Sequence, residues 1–182
     1  MASYHIEESP SNRAKCRGCE RIIAKGTLRF GETMMNPRAD AETTFWYHPE
    51  CAAYKRPEAM IAYLDQGGEV AESDRLRKVA DIGVAHPRVA RLHRAHVSPS
   101  ARATCRACRE LIEKDVWRIS VVFFEDGYLN PAGYVHAGCV EAYAETTESA
   151  MERIRHFNLD LTDAEVGEID AEISSGRAAP EA

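Results

Sequence analysis

"CRGCERII" at residues 16–23 returns almost unchanged as "CRACRELI" at residues 105–112. Worked outward at an offset of 89, "SPSNRAKCRGCERIIAKGTLRF" lies over "SPSARATCRACRELIEKDVWRI". Arg13 falls on Arg102, Lys25 on Lys114 and Arg29 on Arg118. Further on, "WYHPECAAY" stands beside "YVHAGCVEAY". Between Cys19 and His48 there are 28 residues, and between Cys108 and His136 there are 27, a difference one loop absorbs. Similarity reaching this far beyond the cysteines reports a duplicated unit. Each copy has the form Cys-x2-Cys, a long spacer, His-x2-Cys, and all six cysteines are used, three per copy.

That pattern selects a metal. Zn²⁺ favours a tetrahedron of thiolates and imidazoles, and Cys3His is one of its structural donor sets. A Cys-x2-Cys turn aims two sulfurs at one point, and His-x2-Cys at a helix start does the same because i and i+3 share a face. The expected ligands are Cys16, Cys19, His48 and Cys51 in the first copy, and Cys105, Cys108, His136 and Cys139 in the second. With all four positions taken, no place is left for a substrate water, so two structural Zn²⁺ ions are expected and no catalytic one. Three thiolates and one imidazole leave a site charge of about −1. Lys15, Arg17 and Arg21, and in the second copy Arg106 and Arg109, are placed to offset it. Small units have small cores, so each ion is expected to supply on the order of 10 kcal/mol of folding free energy. A disulfide framework would also use an even number of cysteines, but the N-terminus "MASYHIEESPS" lacks the basic start and apolar stretch of an export signal. A redox pair needs a βαβ setting and has no use for a repeated His-x2-Cys. The remaining histidines, His5, His86, His93, His96 and His156, read as surface residues.

The 182 residues suit one ordinary domain or two small ones, and the net charge of −6 is unevenly spread. Residues 1–68 balance at zero, residues 69–110 carry +4 and residues 111–182 carry −10. No apolar run approaches the roughly 20 residues that span a bilayer, so no membrane partner is expected.

The fold class expected is α+β: tandem zinc-stabilised units, each a short antiparallel sheet with a helix carrying His-x2-Cys and a C-terminal helix. "YHIEESP" and "RAHVSPS" read as extended leads, and "TLRFGETMM" and "VWRISVVFF" as strands. "NPRADAETT" and "EDGYLNPAG" read as hairpin connections, and "FWYH" and "GYVH" as returning strands that deliver the histidine. "PECAAYKRPEAMIAYL" reads as a helix from Pro49, with "AGCVEAYAETTESAMERIRHF" as its counterpart. Residues 71–83 and 162–174 are amphipathic, the latter opening on a Thr162-x-x-Glu165 capping box. The domains are placed at 1–85 and 86–176, with 86–97 a basic junction and 177–182 a tail.

These residues resemble the poly(ADP-ribose) polymerase-type zinc finger. The first copy carries the resemblance through Tyr4-x-Ile6-Glu7, Ser11-x-Arg13-Ala14-x-Cys16-x2-Cys19, Leu28-Arg29 and Trp46-Tyr47-His48-x2-Cys51. The second is a more divergent copy, through Ser100-x-Arg102-Ala103-x-Cys105-x2-Cys108, Trp117-Arg118 and Val135-His136-x2-Cys139. The resemblance implies binding to DNA at nicks and double-strand ends without sequence preference. It implies DNA contacts at Arg13 and Arg29, then Arg102 and Arg118, with Lys15 and Arg17 adding charge. Arginine forks grip phosphates and groove edges, and an apolar loop covers an exposed base pair. In the first copy Ala39 and Thr43 fall near where the family places bulky apolar residues, with Met34, Met35 or Phe45 as substitutes; the second copy offers Phe123, Phe124, Tyr128 and Leu129. The chain has no room for the polymerising domain and shows no phosphate-binding glycine loop, so no enzyme and no small-molecule substrate are expected. The competing reading is a zinc-stabilised scaffold in DNA repair whose acidic second copy docks a partner protein. The family is chiefly nuclear and eukaryotic; a two-finger chain without a basic targeting cluster also fits the nucleoid of a bacterial cytoplasm.

Overall fold

A computed structural model describes residues 2–177. The chain divides into two compact units, Met1–Ala85 with Phe124–Asn130, and His86–Phe123 with Pro131–Ala182. In chain order the first unit contains strands β1 (Ser3–Glu8), β2 (Leu28–Asn36) and β3 (Ala41–Tyr47), then helices α1 (Pro49–Lys55), α2 (Pro57–Asp65) and α3 (Ser73–Ala85). The second repeats the order with β4 (Leu92–Val97), β5 (Trp117–Glu125), β6 (Tyr128–His136), α4 (Val140–Ala144), α5 (Ala150–Phe157) and α6 (Asp163–Ser175). Each sheet has three strands, ordered β1-β2-β3 and β4-β5-β6, so the architecture is α+β with a sheet and helices in each copy.

The extended leads are full edge strands. Ser3–Glu8 pairs antiparallel with Leu28–Thr33, and Glu7 stands opposite Arg29. The basic junction is likewise structural: a 3-10 turn at Val89–Arg91 leads into β4, and Leu92 is buried against the sheet. Asn158, at the end of α5, accepts from the Ala95 amide at 2.8 Å and donates to its carbonyl at 3.1 Å, closing part of the β4 edge as a strand would. The repeated Ser-Pro-Ser also finds its reason here. Ser9 and Ser98 are buried, and each hydroxyl donates to the carbonyl two residues on at 2.9 Å. Their backbones pair with Thr27 and Val116, which turns each lead into its sheet.

Both hairpin connections are tighter than the sequence suggested. Asn36 still pairs with Ala41. Four residues make the turn, Asn36 Oδ1 accepts from the Arg38 amide at 3.0 Å, and Asp40 takes a left-handed φ of 48°. In the second copy only Asp126 and Gly127 turn, with φ of 53° and 82°, as a type I′ hairpin requires. The Asn-Pro and Gly that looked like loop signals lie inside β6, an edge strand, where a missing amide is tolerated.

The long helix expected from Pro49 is two helices. The ring of Pro57 disfavours helical geometry in the residue before it, and Arg56 adopts φ −131°, ψ 57°. In the second copy Glu145 takes a left-handed φ of 63° and ends α4 after five residues. The amphipathic segments pack as their periodicity implied. Helix α3 buries Leu76, Val79 and Ala80 against α1 and α2, and α6 buries Ile169 and Ile173 against α5 and the turn that carries Cys139. Thr162 and Glu165 form the capping box. The helix runs to Ser175, and Arg177 is docked, its amide donating to Gly138 O at 2.7 Å and its guanidinium to Glu110 at 2.9 Å. The rest of the expected tail, 178–182, lies outside the described residues.

Candidate metal centres and nucleic-acid interface

Each Cys-x2-Cys forms a knuckle. The Cys16 amide donates to Arg21 O and the Glu20 amide to Cys16 O, both at 2.8 Å; Cys105, Glu110 and Arg109 repeat this. The turn closes because Glu20 and Arg109 occupy the left-handed region, with φ of 64° and 66°. The knuckle is tied to the strand that delivers the histidine, the Arg17 amide donating to Trp46 O and the Arg106 amide to Tyr134 O, both at 2.8 Å. Helix α1 begins at Pro49, so Cys51 follows His48 by one turn; a 3-10 turn at Ala137–Cys139 does this in the second copy.

The two predicted ligand sets are each brought together. All four donor atoms of Cys16, Cys19, His48 and Cys51 lie within 4.8 Å of one another, and so do those of Cys105, Cys108, His136 and Cys139. His48 Nδ1 is 3.5 Å from Cys19 Sγ and 3.8 Å from Cys51 Sγ, and His136 Nδ1 is 3.4 and 3.7 Å from Cys108 and Cys139. Tetrahedral zinc with ordinary bond lengths places sulfur and nitrogen about 3.6 Å apart, so the donor sets fit zinc. The sulfurs are solvated by protein donors. His48 N donates to Cys16 Sγ at 3.3 Å, Arg21 Nε to Cys19 Sγ at 3.3 Å, and His136 N and Ala107 N to Cys105 Sγ at 3.4 Å.

Titration points the same way. Three thiols this close cannot all ionise unaided. Hydrogen bonding with Cys139 holds Cys105 down at about 4, and the same contact pushes Cys139 up. Cys19 is driven down by Cys16 and Cys51, while Cys51 is driven up by Cys16 and Cys19. His48 is raised to about 9 by its bonds to Cys16 and Cys19. The crowded thiols of each cluster therefore favour a positive charge among them. A dication there resolves the conflict among the thiolates.

The six cations expected at DNA fall into two groups. Arg13, Lys15, Arg17 and Arg102 are exposed beside the knuckles. Arg29 and Arg118 are each 8% exposed and lie over an aromatic ring, Arg29 at 3.6 Å from the Trp46 centroid and Arg118 at 3.9 Å from that of Tyr134. Arg29 is also clasped by Glu7, its Nε donating at 3.0 Å with a second bond from the guanidinium. Arg118 Nε instead donates to His96 Nε2 at 2.9 Å. Sequence reasoning named the arginines but not these partners. The signal was present, because the offset of 89 puts Glu7 on His96, and one of 88 puts Trp46 on Tyr134.

His96, like His5, His86, His93 and His156, is half-buried rather than a surface residue, and burial and Arg118 hold it low. None of the other four extra histidines joins either cluster. Of the residues considered for covering a base, Met35 is 58% exposed while Phe45 is buried. Met34, Phe123, Phe124, Tyr128 and Leu129 are half-buried.

A three-stranded sheet, a cysteine knuckle and a helix-borne His-x2-Cys, present twice, define a tandem Cys3His zinc-finger module. Residues 7–83 match the family described as the poly(ADP-ribose) polymerase and DNA-ligase Zn-finger region. Among named relatives, poly [ADP-ribose] polymerase 1 of Oryza sativa subsp. japonica is 26% identical over 144 residues, 75% of this chain and 14% of the relative. Poly [ADP-ribose] polymerase 1 of Gallus gallus is 27% identical over 134 residues, 64% of this chain and 13% of the relative. Poly [ADP-ribose] polymerase of Drosophila melanogaster is 23% identical over 137 residues, 67% of this chain and 14% of the relative. The chain therefore spans about a seventh of these relatives, and the matches with it run past the first unit. No helix among the described residues is long and apolar enough to cross a membrane.

Proposed function

We propose that the chain is a non-enzymatic, zinc-dependent DNA-binding protein that recognises strand breaks, both nicks and ends, without sequence preference. The observation that carries this reading is an arginine stacked on an aromatic ring at the same place in both copies, flanked by exposed cations on the adjoining knuckle. Stacking holds a guanidinium in one orientation while leaving its charge intact. Arg13, Arg29, Arg102, Arg118, Lys15 and Arg17 are the proposed DNA contacts. Phosphate contacts position a protein without reading sequence, and a break exposes both sharply bendable backbone and an unstacked base face. Met35, exposed on β2, is the proposed apolar neighbour of that face in the first unit. The polymerase activity in the relatives' names is not carried over, because the similarity spans so little of them. A DNA-binding role places the chain in a nucleus or at a bacterial nucleoid.

The test is electrophoretic binding of nicked and intact duplexes of one sequence at several salt concentrations. Tighter binding of the nicked duplex, weakening steeply with salt, is expected. Equal affinity for both removes break recognition. Zinc retention with no DNA affinity at all favours the repair scaffold that docks a partner protein.

A further inference from the structure

We propose that the second unit carries the stronger DNA backbone grip, in a cationic recess formed by Arg106 and Arg109 beside the Arg118–Tyr134 pair, and that Glu7 and Glu20 weaken the corresponding grip of the first unit. This rests on the DNA-binding reading above and assigns the phosphate contact within it.

The two copies share a backbone but differ in charge at equivalent points. In the first, Glu7 lies opposite Arg29 on the neighbouring strand and forms an ion pair with it. In the second, His96 occupies that place opposite Arg118. His96 accepts through Nε2, which requires the neutral ring, so Arg118 keeps its full charge. At the left-handed corner of the knuckle the first unit has Glu20 and the second has Arg109, with nearly the same φ. The acid that follows it, Glu110, is engaged by Arg177, and no carboxylate pairs with Arg106, Arg109 or Arg118 among the described residues.

Shape agrees with charge. A recess in the second unit is lined by Thr104, Cys105, Arg106, Arg109, Gly133 and Tyr134. Gly133 takes φ +103°, and a Cβ there would stand 2.8 Å from Arg106 Nε, so the glycine lets that guanidinium lie across the strand. At the equivalent position the first unit has Phe45, which is buried. Tyr134 joins the two parts, because its backbone holds the knuckle and its ring carries Arg118. The second unit thus presents two unneutralised guanidinium groups, of Arg106 and Arg109, on one recess, with Arg118 behind it over the Tyr134 ring, a fit for the phosphates of a DNA strand. The acids that make residues 111–182 negative are concentrated past residue 140, on the helical segments.

The test is fluorescence anisotropy with a nicked duplex across a salt series, using the full chain loaded with zinc. Arg109→Glu should keep its fold, because Glu20 occupies the same conformation in the first unit. It should lower affinity about tenfold or more and reduce the salt slope by about one phosphate contact, near 0.9. Glu7→Gln frees Arg29 and should raise affinity and steepen the slope by a similar amount. Circular dichroism and zinc content should be unchanged in both variants. If Arg109→Glu binds as the wild type does while Arg17→Gln or Lys15→Gln weakens binding, DNA is held by the first unit and this assignment fails although the DNA-binding reading stands. If the wild type binds no DNA, it is that reading which fails.

Discussion

Glu32 and Arg56 form a buried ion pair in the first unit and allow its stability to be tested quantitatively. Glu32 sits on β2 with a side chain 1% exposed, and Arg56, 18% exposed, reaches it from the break between α1 and α2. Arg56 Nε and a second guanidinium nitrogen each donate to a different carboxylate oxygen at 2.8 Å. The break aims Arg56 at the sheet, so the pair fastens helix to sheet at the point where Pro57 interrupts the helices. Removing one member of a buried pair costs about 3–5 kcal/mol, mostly from the charge left behind. Arg56 retains some access to water, so Glu32→Gln should lie near the lower end, about 3 kcal/mol. For a unit of this size that corresponds to a Tm fall of roughly 12 °C or more. The double variant Glu32→Leu with Arg56→Met removes both charges and should recover most of the loss, because an apolar pair of similar volume replaces a buried ion pair nearly neutrally. The assay is urea unfolding followed by Trp46 fluorescence, in a Trp117→Phe background, with zinc in fixed excess so that metal linkage is constant. A loss below about 0.5 kcal/mol for Glu32→Gln would place the pair with exposed ones. A double variant no better than the single would show that shape rather than charge mattered. Either result refutes the reasoning.

Chelating the metal should abolish the folded circular dichroism of both units, each ion contributing on the order of 10 kcal/mol; spectra unchanged by a strong chelator would remove the structural role of zinc. Thr162→Ala breaks the capping box at the start of α6 and should cost about 1 kcal/mol in thermal unfolding, whereas Thr162→Ser should cost little. His96 is held below its ordinary value by burial and by Arg118. The folded state therefore binds fewer protons than the unfolded chain just below pH 6.5, and stability should fall as the pH drops through that range. Comparing the pH dependence of unfolding in His96→Gln isolates this contribution from proton competition at the zinc ligands, and identical slopes would exclude it.

The metal centres were legible because their geometry is local. A Cys-x2-Cys turn and a His-x2-Cys helix start each hold two donors by the spacing of three or four residues, and duplication supplied an internal check on which residues belonged. The capping box and the strands flanking each knuckle were legible for the same reason. The helix break at Arg56 and the two-residue turn at Asp126–Gly127 had local signals too, in Pro57 and in the Asp-Gly pair. They were outweighed by the longer apolar pattern around Pro57 and by the Asn-Pro and Gly that follow the turn. What the amino-acid order settled alone is therefore the donor set, the repeat and the class of fold. Only tertiary structure decided that Arg29 faces Glu7, that Arg118 faces His96, and that each lies on an aromatic ring from the opposite strand. Those partners are 22 or fewer residues apart, far beyond a single turn. Strand register and burial bring them together, and the charge left on a buried arginine depends on which side chain the neighbouring strand puts against it.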